Sequence, residues 1–88
     1  MKLIYLSSFL KDLKKVDDKK VKTKVKEILL SLKEIENIQN SKQIVKLKGH
    51  PTAYRIRIGN YRMGLFIEEN TITLARFVKR NDIYKLFP

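Results

Sequence analysis

Apolar residues in the first half of the chain recur with the period of a helix. One stripe occupies positions i, i+4, i+7, i+8, i+11 and i+14, namely Val21, Val25, Ile28, Leu29, Leu32 and Ile35. Such a stripe is typical of an amphipathic helix with one buried side, and Asp17 or Asp18 is suited to cap its first turn. A shorter helix is predicted before it, with Ser7 or Ser8 as the cap. Its apolar side would consist of Phe9, Leu10, Leu13 and Val16.

The remaining segments have the alternation, or the β-branched and aromatic content, of strands. Residues 2–6 predict a short first strand, and residues 44–47 predict a short extended piece. Three longer strands are predicted at about 53–58, 61–67 and 71–78. The turns between them are Gly59-Asn60 and Glu68-Glu69-Asn70, so the simplest topology is a meander.

The order of these elements predicts an α+β fold, β-α-α-β-β-β. We expect an antiparallel sheet with the two N-terminal helices packed on one face, and a short C-terminal helical turn after Asn81 or Asp82. A chain of 88 residues has room for one modest core, so residues 1–88 are expected to form a single domain. The other face of the sheet would then be exposed to solvent.

The segment YRIRIGNYR, residues 54–62, brings like charges together. A tight two-residue turn would create three cross-strand pairs: Ile58 with Tyr61, Arg57 with Arg62, and Arg55 with Gly64. Like charges directly opposite each other cost about 0.2–1 kcal/mol per pair. If Ile56 and Met63 point into the core, the arginines lie on the exposed face of the sheet. Tyr54 and Tyr61 would then pack on the core side.

Net charge and its distribution indicate an anionic partner. The chain has a net charge of +11 and a pI near 10.0, which favours binding to nucleic acid, an anionic membrane surface or an acidic protein. All five arginines lie between residues 55 and 80, whereas the lysines are spread along the chain. Because a guanidinium group binds phosphate through a planar fork, this segregation indicates one dedicated anion site. The lysines of the long helix are interpreted as a solvated face.

The residue content argues against several kinds of site. The chain has no cysteine, so neither a disulfide framework nor a thiolate-bound metal is expected. His50, the single histidine, precedes Pro51 in a predicted loop and is interpreted as an ordinary loop residue. The acidic residues are scattered, so no metal site and no cofactor are predicted. Without a signal-peptide core or an apolar segment of about 18 residues, the expected location is the cytoplasm and not a membrane.

The residues that remain for chemistry suit cleavage of RNA. Such cleavage can proceed without metal if the protein supplies positive charge at the scissile phosphate and at the departing 5′ oxygen. It also requires alignment of the 2′ hydroxyl with phosphorus, which a tyrosine stacked on a base can assist. The candidate catalytic residues are Arg57, Arg62, Arg80 and Tyr84. The candidate RNA-binding residues are Lys46, Lys48, Arg55 and Lys79.

A purely structural interpretation of these residues is the alternative. It assigns solubilising roles to Arg55 and Arg57, an ion pair with Glu68 or Glu69 to Arg62, and core positions to Tyr84, Leu86 and Phe87. The repeated arginines, their like-charge pairing and their segregation favour the functional interpretation.

Three motifs, in this order, resemble a known family. KLKG at residues 46–49, YRIRIGNYR at 54–62 and RFVKRNDIYKLFP at 76–88 are similar to the RelE/ParE superfamily of toxins from bacterial and archaeal toxin-antitoxin pairs. The resemblance covers the whole chain in element order and residues 46–88 in motif. It implies the β-α-α-β-β-β fold with a C-terminal segment.

Similarity to the RelE branch implies a ribosome-dependent endoribonuclease that enters the ribosomal A site and cleaves mRNA. By this resemblance Arg62 stabilises charge on the phosphate, Arg80 assists the leaving oxygen, and Tyr84 stacks on or orients the base. Arg55 and Arg57 correspond to basic residues of the first hairpin strand.

The two hairpin arginines leave the proton acceptor of this reaction unassigned. Some RelE-like enzymes have lysine at these positions, and a lysine with a lowered pKa can accept a proton, whereas Arg55 and Arg57 cannot do so near neutral pH. The candidates are Lys79, Asp82, water or a ribosomal group.

Two other functions are kept as alternatives. The ParE branch shares the fold but inhibits DNA gyrase, and it generally lacks the arginine and tyrosine set that Arg62, Arg80 and Tyr84 represent here. A non-enzymatic, basic nucleic-acid-binding module is the other alternative. Either toxin branch implies a cognate antitoxin whose acidic or amphipathic segment wraps the toxin in a small hetero-oligomer.

Overall fold

One sheet, two N-terminal helices and a C-terminal helical turn make up the fold. The computed structural model describes the backbone of residues 1–88 and every side chain except that of Asn40. The elements in chain order are β1 (Lys2–Tyr5), α1 (Ser7–Lys14), α2 (Lys19–Glu34), a 3-10 turn (Ile38–Asn40), β2 (Ile44–Lys46), β3 (Ala53–Ile58), β4 (Tyr61–Glu68), β5 (Thr71–Lys79) and α3 (Ile83–Leu86). The predicted α+β class, the two helices, the meander and the C-terminal turn are confirmed.

The sheet has five strands in the order β1-β5-β4-β3-β2, and it is mixed. Strands β2 to β5 pair antiparallel, but β1 pairs parallel with β5, so the prediction of a wholly antiparallel sheet was wrong at this edge. Alternation of apolar residues does not encode strand direction. Because two helices connect β1 to the strands at the opposite edge, no hairpin forces β1 to be antiparallel to its neighbour.

The main core lies between the helices and one face of the sheet, here called the helix face. The predicted stripe of α2 is confirmed, since Val25, Ile28 and Leu32 are buried against the sheet. The Tyr61 ring stacks on Phe77 with ring centroids 5.0 Å apart, so its predicted packing role is also confirmed.

The N-terminal caps of the two helices have different outcomes. Asp18 accepts hydrogen bonds from the backbone N–H groups of Lys20 and Val21 at 2.9 and 3.3 Å, as predicted for α2. The predicted serine cap of α1 was wrong, because the N-cap is Leu6 and no side chain caps it. Ser8 instead donates its hydroxyl to the carbonyl oxygen of Ala75 on β5, at 2.6 Å. The predicted apolar side of α1 was wrong at Leu10, which is exposed.

Helix α1 takes the place of a neighbouring strand along the second half of β5. Strand β1 pairs with β5 only as far as Leu74, and a register shift then leaves Ala75 without a partner on β4. Beyond that point the buried Asp12 carboxylate accepts the backbone N–H of Phe77 at 3.0 Å and two hydrogen bonds from Arg76 at 2.7 and 3.1 Å. These contacts cover an edge that would otherwise expose unpaired backbone groups.

The second face of the sheet carries Arg55, Arg57 and Arg62 and is here called the arginine face. The expectation that this face is fully solvated was wrong, because α3 and the residue after it pack on it. A second small core forms there from Leu47, Ala53, Ala75, Ile83 and Phe87. Ile83 and Phe87 are four residues apart, so both side chains lie on the same side of the helical turn and pack against the sheet. The C-terminal segment therefore lies on the same face as the three arginines.

Candidate functional site

The β3–β4 hairpin places three arginines on the arginine face. Its register is the predicted one: Ile58 pairs with Tyr61, Arg57 with Arg62, and Arg55 with Gly64. Gly59 adopts a φ of 57°, a left-handed conformation that glycine tolerates and that a tight hairpin turn requires. The side chains of Arg55 and Arg62 are partly buried, and Arg57 is exposed.

Arg62 is held next to the hairpin turn. Its Nη1 atom donates hydrogen bonds to the carbonyl oxygens of Gly59 and Tyr61, at 2.9 and 2.8 Å. The alternative ion pair with Glu68 or Glu69 was wrong, because Glu68 is the last residue of β4 and Glu69 follows it, about 20 Å from Arg62. Within the described residues the single salt bridge is that of Asp12 with Arg76. The charge of Arg62 therefore has no carboxylate partner among those residues.

Arg80 lies beside the hairpin turn that also holds Arg62. Partial burial lowers the pKa of Arg62, and the positive charges of Arg57, Arg55 and Arg80, in that order, lower it further. The phenolate form of Tyr84 acts in the opposite direction and raises it. The backbone N–H of Arg80 also donates to the carbonyl oxygen of Asn60 at 2.8 Å, which ties the end of β5 to the hairpin turn. We call Arg55, Arg57, Arg62 and Arg80 the arginine cluster.

A groove of about 540 Å³ lies beside this cluster. It is lined by Val45, Lys46, Leu47, Lys48, His50, Arg55, Tyr84, Phe87 and Pro88. The groove thus combines three long cationic side chains with an exposed aromatic ring, and none of its lining residues is acidic. Tyr84 is 69% exposed, whereas Phe87 is buried, so the alternative assignment of core positions holds for Phe87 and not for Tyr84.

Lys79 lies outside the groove, and it lines a cleft of about 440 Å³ with Arg80 beside the hairpin turn. Lys79 pairs with Tyr61, whose ring lies on the helix face against Phe77. Together with Asp82, it lines a different cleft of about 350 Å³, next to Asp12 and Arg76. Two of the four candidate proton acceptors therefore lie outside the groove.

His50 is the groove residue that sequence reasoning passed over. Gly49, with a φ of 80°, lets the β2–β3 loop turn so that His50 reaches the groove. A loop histidine before proline carries no periodic signal, so only the path of the loop reveals its neighbours. Asp12 was also missed, because its place among apolar positions of α1 gives no indication of the partly buried Arg76 that it binds.

The chemistry available to this surface is that of anion binding. In the part of the chain that the structure describes, no group of three or more histidine, cysteine or acidic side chains is arranged to hold a metal ion. Nor is any described helix long and apolar enough to cross a membrane. Guanidinium groups on adjacent strands, with an exposed tyrosine beside them, can contact a phosphate and its neighbouring base at the same time.

Comparisons with known proteins agree with this architecture. The sequence profile of a family described as ParE toxin of type II toxin-antitoxin system, parDE, matches residues 3–84. A toxin named RelE3 from Methanocaldococcus jannaschii is 36% identical over 89 residues, and the match covers 100% of both chains.

Solved structures show the same fold. A chain in the crystal structure of a RelB-RelE antitoxin-toxin complex from Methanococcus jannaschii superposes with a TM-score of 0.81 and 33% identity, covering 97% of this chain and 99% of that one. A chain of the Escherichia coli RelBE toxin-antitoxin complex has a TM-score of 0.70 and 22% identity, covering 89% and 94% of the two chains. At that identity the second likeness concerns the fold alone.

Proposed function

The chain belongs to the RelE/ParE superfamily and is a toxin of a type II toxin-antitoxin system, and from this we propose that it is a metal-independent endoribonuclease that cleaves mRNA on the ribosome. The cleavage would block translation. The likeness to proteins named RelE supports this activity. The presence of Arg62, Arg80 and Tyr84 in the motifs that resemble the RelE branch supports it too.

The observation that carries the proposal is the accumulation of unneutralised positive charge around Arg62. Arg57 is paired with Arg62 across the hairpin, Arg80 lies beside the same turn, and no carboxylate among the described residues pairs with Arg62, so this surface is unfavourable until an anion binds. A phosphodiester that gains negative charge in the transition state is stabilised by such preorganised donors more strongly than the ground state is. An exposed tyrosine next to the cluster supplies a surface for a splayed base.

We assign roles to the proposed catalytic residues accordingly. Arg57 and Arg62 would contact the scissile phosphate, Arg80 would assist the departing 5′ oxygen, and Tyr84 would stack on the base. These roles need a phosphate at the hairpin end of the arginine face, where Arg57 and Arg62 are paired.

The proposed RNA-binding residues follow the groove. Arg55, Lys46 and Lys48 line it and would contact the backbone on one side of the cleaved bond. Lys79 lies on the helix face. It would contact RNA only at the point where the RNA strand leaves the arginine cluster. Water or a ribosomal group is favoured as proton acceptor over Lys79 and Asp82, which line the other cleft. The imidazole of His50 adds a candidate inside the groove.

We also propose partners and a location. An antitoxin with an acidic or amphipathic segment would neutralise the arginine face and form a small hetero-oligomer with the toxin. The similar chain from Methanococcus jannaschii was crystallised as an antitoxin-toxin complex, which supports a protein partner of this kind. Action on translating ribosomes would place the protein in the cytoplasm.

Cleavage in a purified translation reaction tests the proposal. We expect the protein to cut mRNA only when ribosomes are present, and a chelator selective for transition metals, which leaves ribosomal Mg²⁺ in place, should not inhibit it. Arg62→Ala should lower the cleavage rate by about a hundredfold, since it removes a donor aimed at developing charge.

Lys26→Ala is the matched control, because it removes one positive charge from the exposed side of α2. Its cleavage rate should equal that of the wild type. Messenger RNA that stays intact at micromolar wild-type protein would rule out the nuclease. If both variants only weaken RNA binding to the same small extent, the protein is a basic binding module instead.

Inhibition of DNA gyrase is the second candidate function. The match of the ParE family profile to residues 3–84 favours it. A supercoiling assay distinguishes the two activities: the nuclease should leave supercoiling by gyrase unchanged, whereas a ParE-like toxin should inhibit supercoiling and leave mRNA intact.

A further inference from the structure

The C-terminal segment is fastened to the arginine face at one glycine. The Phe87 side chain is 3% exposed and lies in the second core, with its ring centroid 5.0 Å from that of Phe66. A Cβ atom added to Gly64 would lie 2.7 Å from the Cγ and Cδ2 atoms of the Phe87 ring. The ring therefore rests directly on the backbone of β4.

A positive φ does not explain the glycine at position 64, which lies next to the register shift between Gly64 and Leu65. It lies within β4, and it is not among the glycines with positive φ, which are Gly49 and Gly59. The close approach of the Phe87 ring is the constraint, because a contact of 2.7 Å to a Cβ atom is not tolerated. Any side chain at position 64 would lift the ring from the sheet.

The same contact determines where Tyr84 lies. Tyr84 is between the two anchors of the segment, Ile83 and Phe87, which are 0% and 3% exposed. Gly64 pairs with Arg55 and is two residues from Arg62 on the same strand and face. A four-residue helical turn is not stable by itself, so its position depends on these anchors.

We propose that Gly64 and Phe87 are positioning residues for the cleavage reaction. They hold the Tyr84 side chain at a fixed distance from the arginine cluster and in a fixed orientation. This inference rests on the proposed nuclease function. Phe87 borders the groove but is only 3% exposed, so its effect on the reaction comes through Tyr84, and Gly64 acts by leaving room for Phe87. The absence of a side chain at position 64 is thus part of the catalytic geometry.

Two substitutions of opposite chemistry should have the same effect. Gly64→Ala adds a methyl group under the ring, and Phe87→Ala removes the ring. Each should lower the single-turnover cleavage rate on saturating ribosome–mRNA complex by about 10- to 100-fold, the usual effect of a misplacement of about 1 Å. The affinity for the complex should change far less, since the arginines and lysines are untouched. The double variant should be no slower than Phe87→Ala, because the added methyl then meets no ring.

A second readout is independent of catalysis. The backbone N–H groups of Phe87 and Leu86 donate to the carbonyl oxygens of Ile83 and Asp82, at 2.8 and 3.1 Å. In both single variants these two amides should exchange with solvent hydrogen faster, while the amides of the β3–β4 ladder exchange as in the wild type. Phe87→Ala alters only the C-terminal anchor. If Gly64→Ala fails to fold, cleavage and amide exchange are measured on Phe87→Ala alone.

Ile28→Val is the control for a general loss of stability, since it trims a buried side chain of α2 on the helix face. It should lower the melting temperature without slowing cleavage. Faster exchange of the two amides together with slower cleavage supports the positioning role. Unchanged cleavage in Phe87→Ala, or equal slowing in Ile28→Val, overturns it while the nuclease stands. A wild-type protein that leaves mRNA intact overturns the proposed function and the positioning role with it.

Discussion

At the scale of single residues, the arginine cluster lowers the stability of the folded protein through repulsion between like charges. Partial burial lowers the pKa of Arg62, and like charges at short range, first that of its cross-strand partner Arg57, lower it further. A base whose pKa is lower in the folded state binds its proton less tightly there, so the charged cluster opposes folding at every pH below that pKa. The penalty is constant through the neutral range, and charge removal or a bound anion relieves it.

Replacement of Arg57 by glutamine should therefore stabilise the protein. We expect the free energy of unfolding to rise by about 0.2–1 kcal/mol, the usual cost of a like-charge cross-strand pair, and the gain to shrink at high salt. Urea denaturation at low and high ionic strength measures both effects. Lys26→Gln, which lowers the net charge equally but lies on α2, is the control. If Arg57→Gln raises the free energy of unfolding no more than Lys26→Gln does, the position of Arg57 opposite Arg62 carries no energetic cost.

At the scale of elements, α1 is joined to β5 by polar side chains as much as by apolar packing. Asp12 is 8% exposed, binds Arg76 through both of its oxygens and also accepts the backbone N–H of Phe77. Removal of one partner of a buried ion pair leaves the other charge without compensation. Arg76, the one arginine outside the arginine cluster, therefore stabilises the fold through this ion pair.

Asp12→Ala should destabilise the protein by about 3 kcal/mol, because it leaves both a guanidinium group and a backbone N–H without their partner. Thermal unfolding measures the loss. Asp17→Ala, which removes an exposed carboxylate from the next loop, should change stability little. Equal effects of the two substitutions would mean that net charge, and not the contacts of Asp12, sets the cost.

At the scale of the whole molecule, the main core and the proposed functional site lie on opposite faces of the sheet. The helix face buries most of the apolar side chains, and the arginine face holds a small core beside the groove. The net charge of +11 is thus distributed between a solvated helical side and a concave surface that suits a single-stranded polyanion.

The salt dependence of RNA binding should distinguish these two sides. For single-stranded RNA each phosphate contact contributes about 0.7 to the slope of log affinity against log salt. The double variant Lys46→Ala/Lys48→Ala should therefore lower that slope by about 1.4. Lys24→Ala/Lys26→Ala removes the same charge from the exposed side of α2 and should leave the slope unchanged. Fluorescence anisotropy with a labelled oligonucleotide measures both, and equal slopes in the two variants would argue against the groove as the RNA path.

Local patterns were sufficient to predict most of the elements and the register of the hairpin. The stripe from Val21 to Ile35 determines α2 because a helix repeats every 3.6 residues, and Gly59-Asn60 determines which arginine faces which because a two-residue turn permits one pairing. The sequence also indicated Arg62, Arg80 and Tyr84 as candidate site residues, and the roles assigned to them stay predictions.

Contacts between residues far apart in sequence were decided by the tertiary structure alone. Three contacts join segments separated by 20 or more positions. They are the parallel pairing of β1 with β5, the ion pair of Asp12 with Arg76, and the packing of the Phe87 ring on Gly64. Periodicity reports which side of an element is apolar, but it contains no information on which other element meets that side. The physical reason is that side-chain spacing is a local property of the backbone, whereas partner choice depends on how the whole core packs.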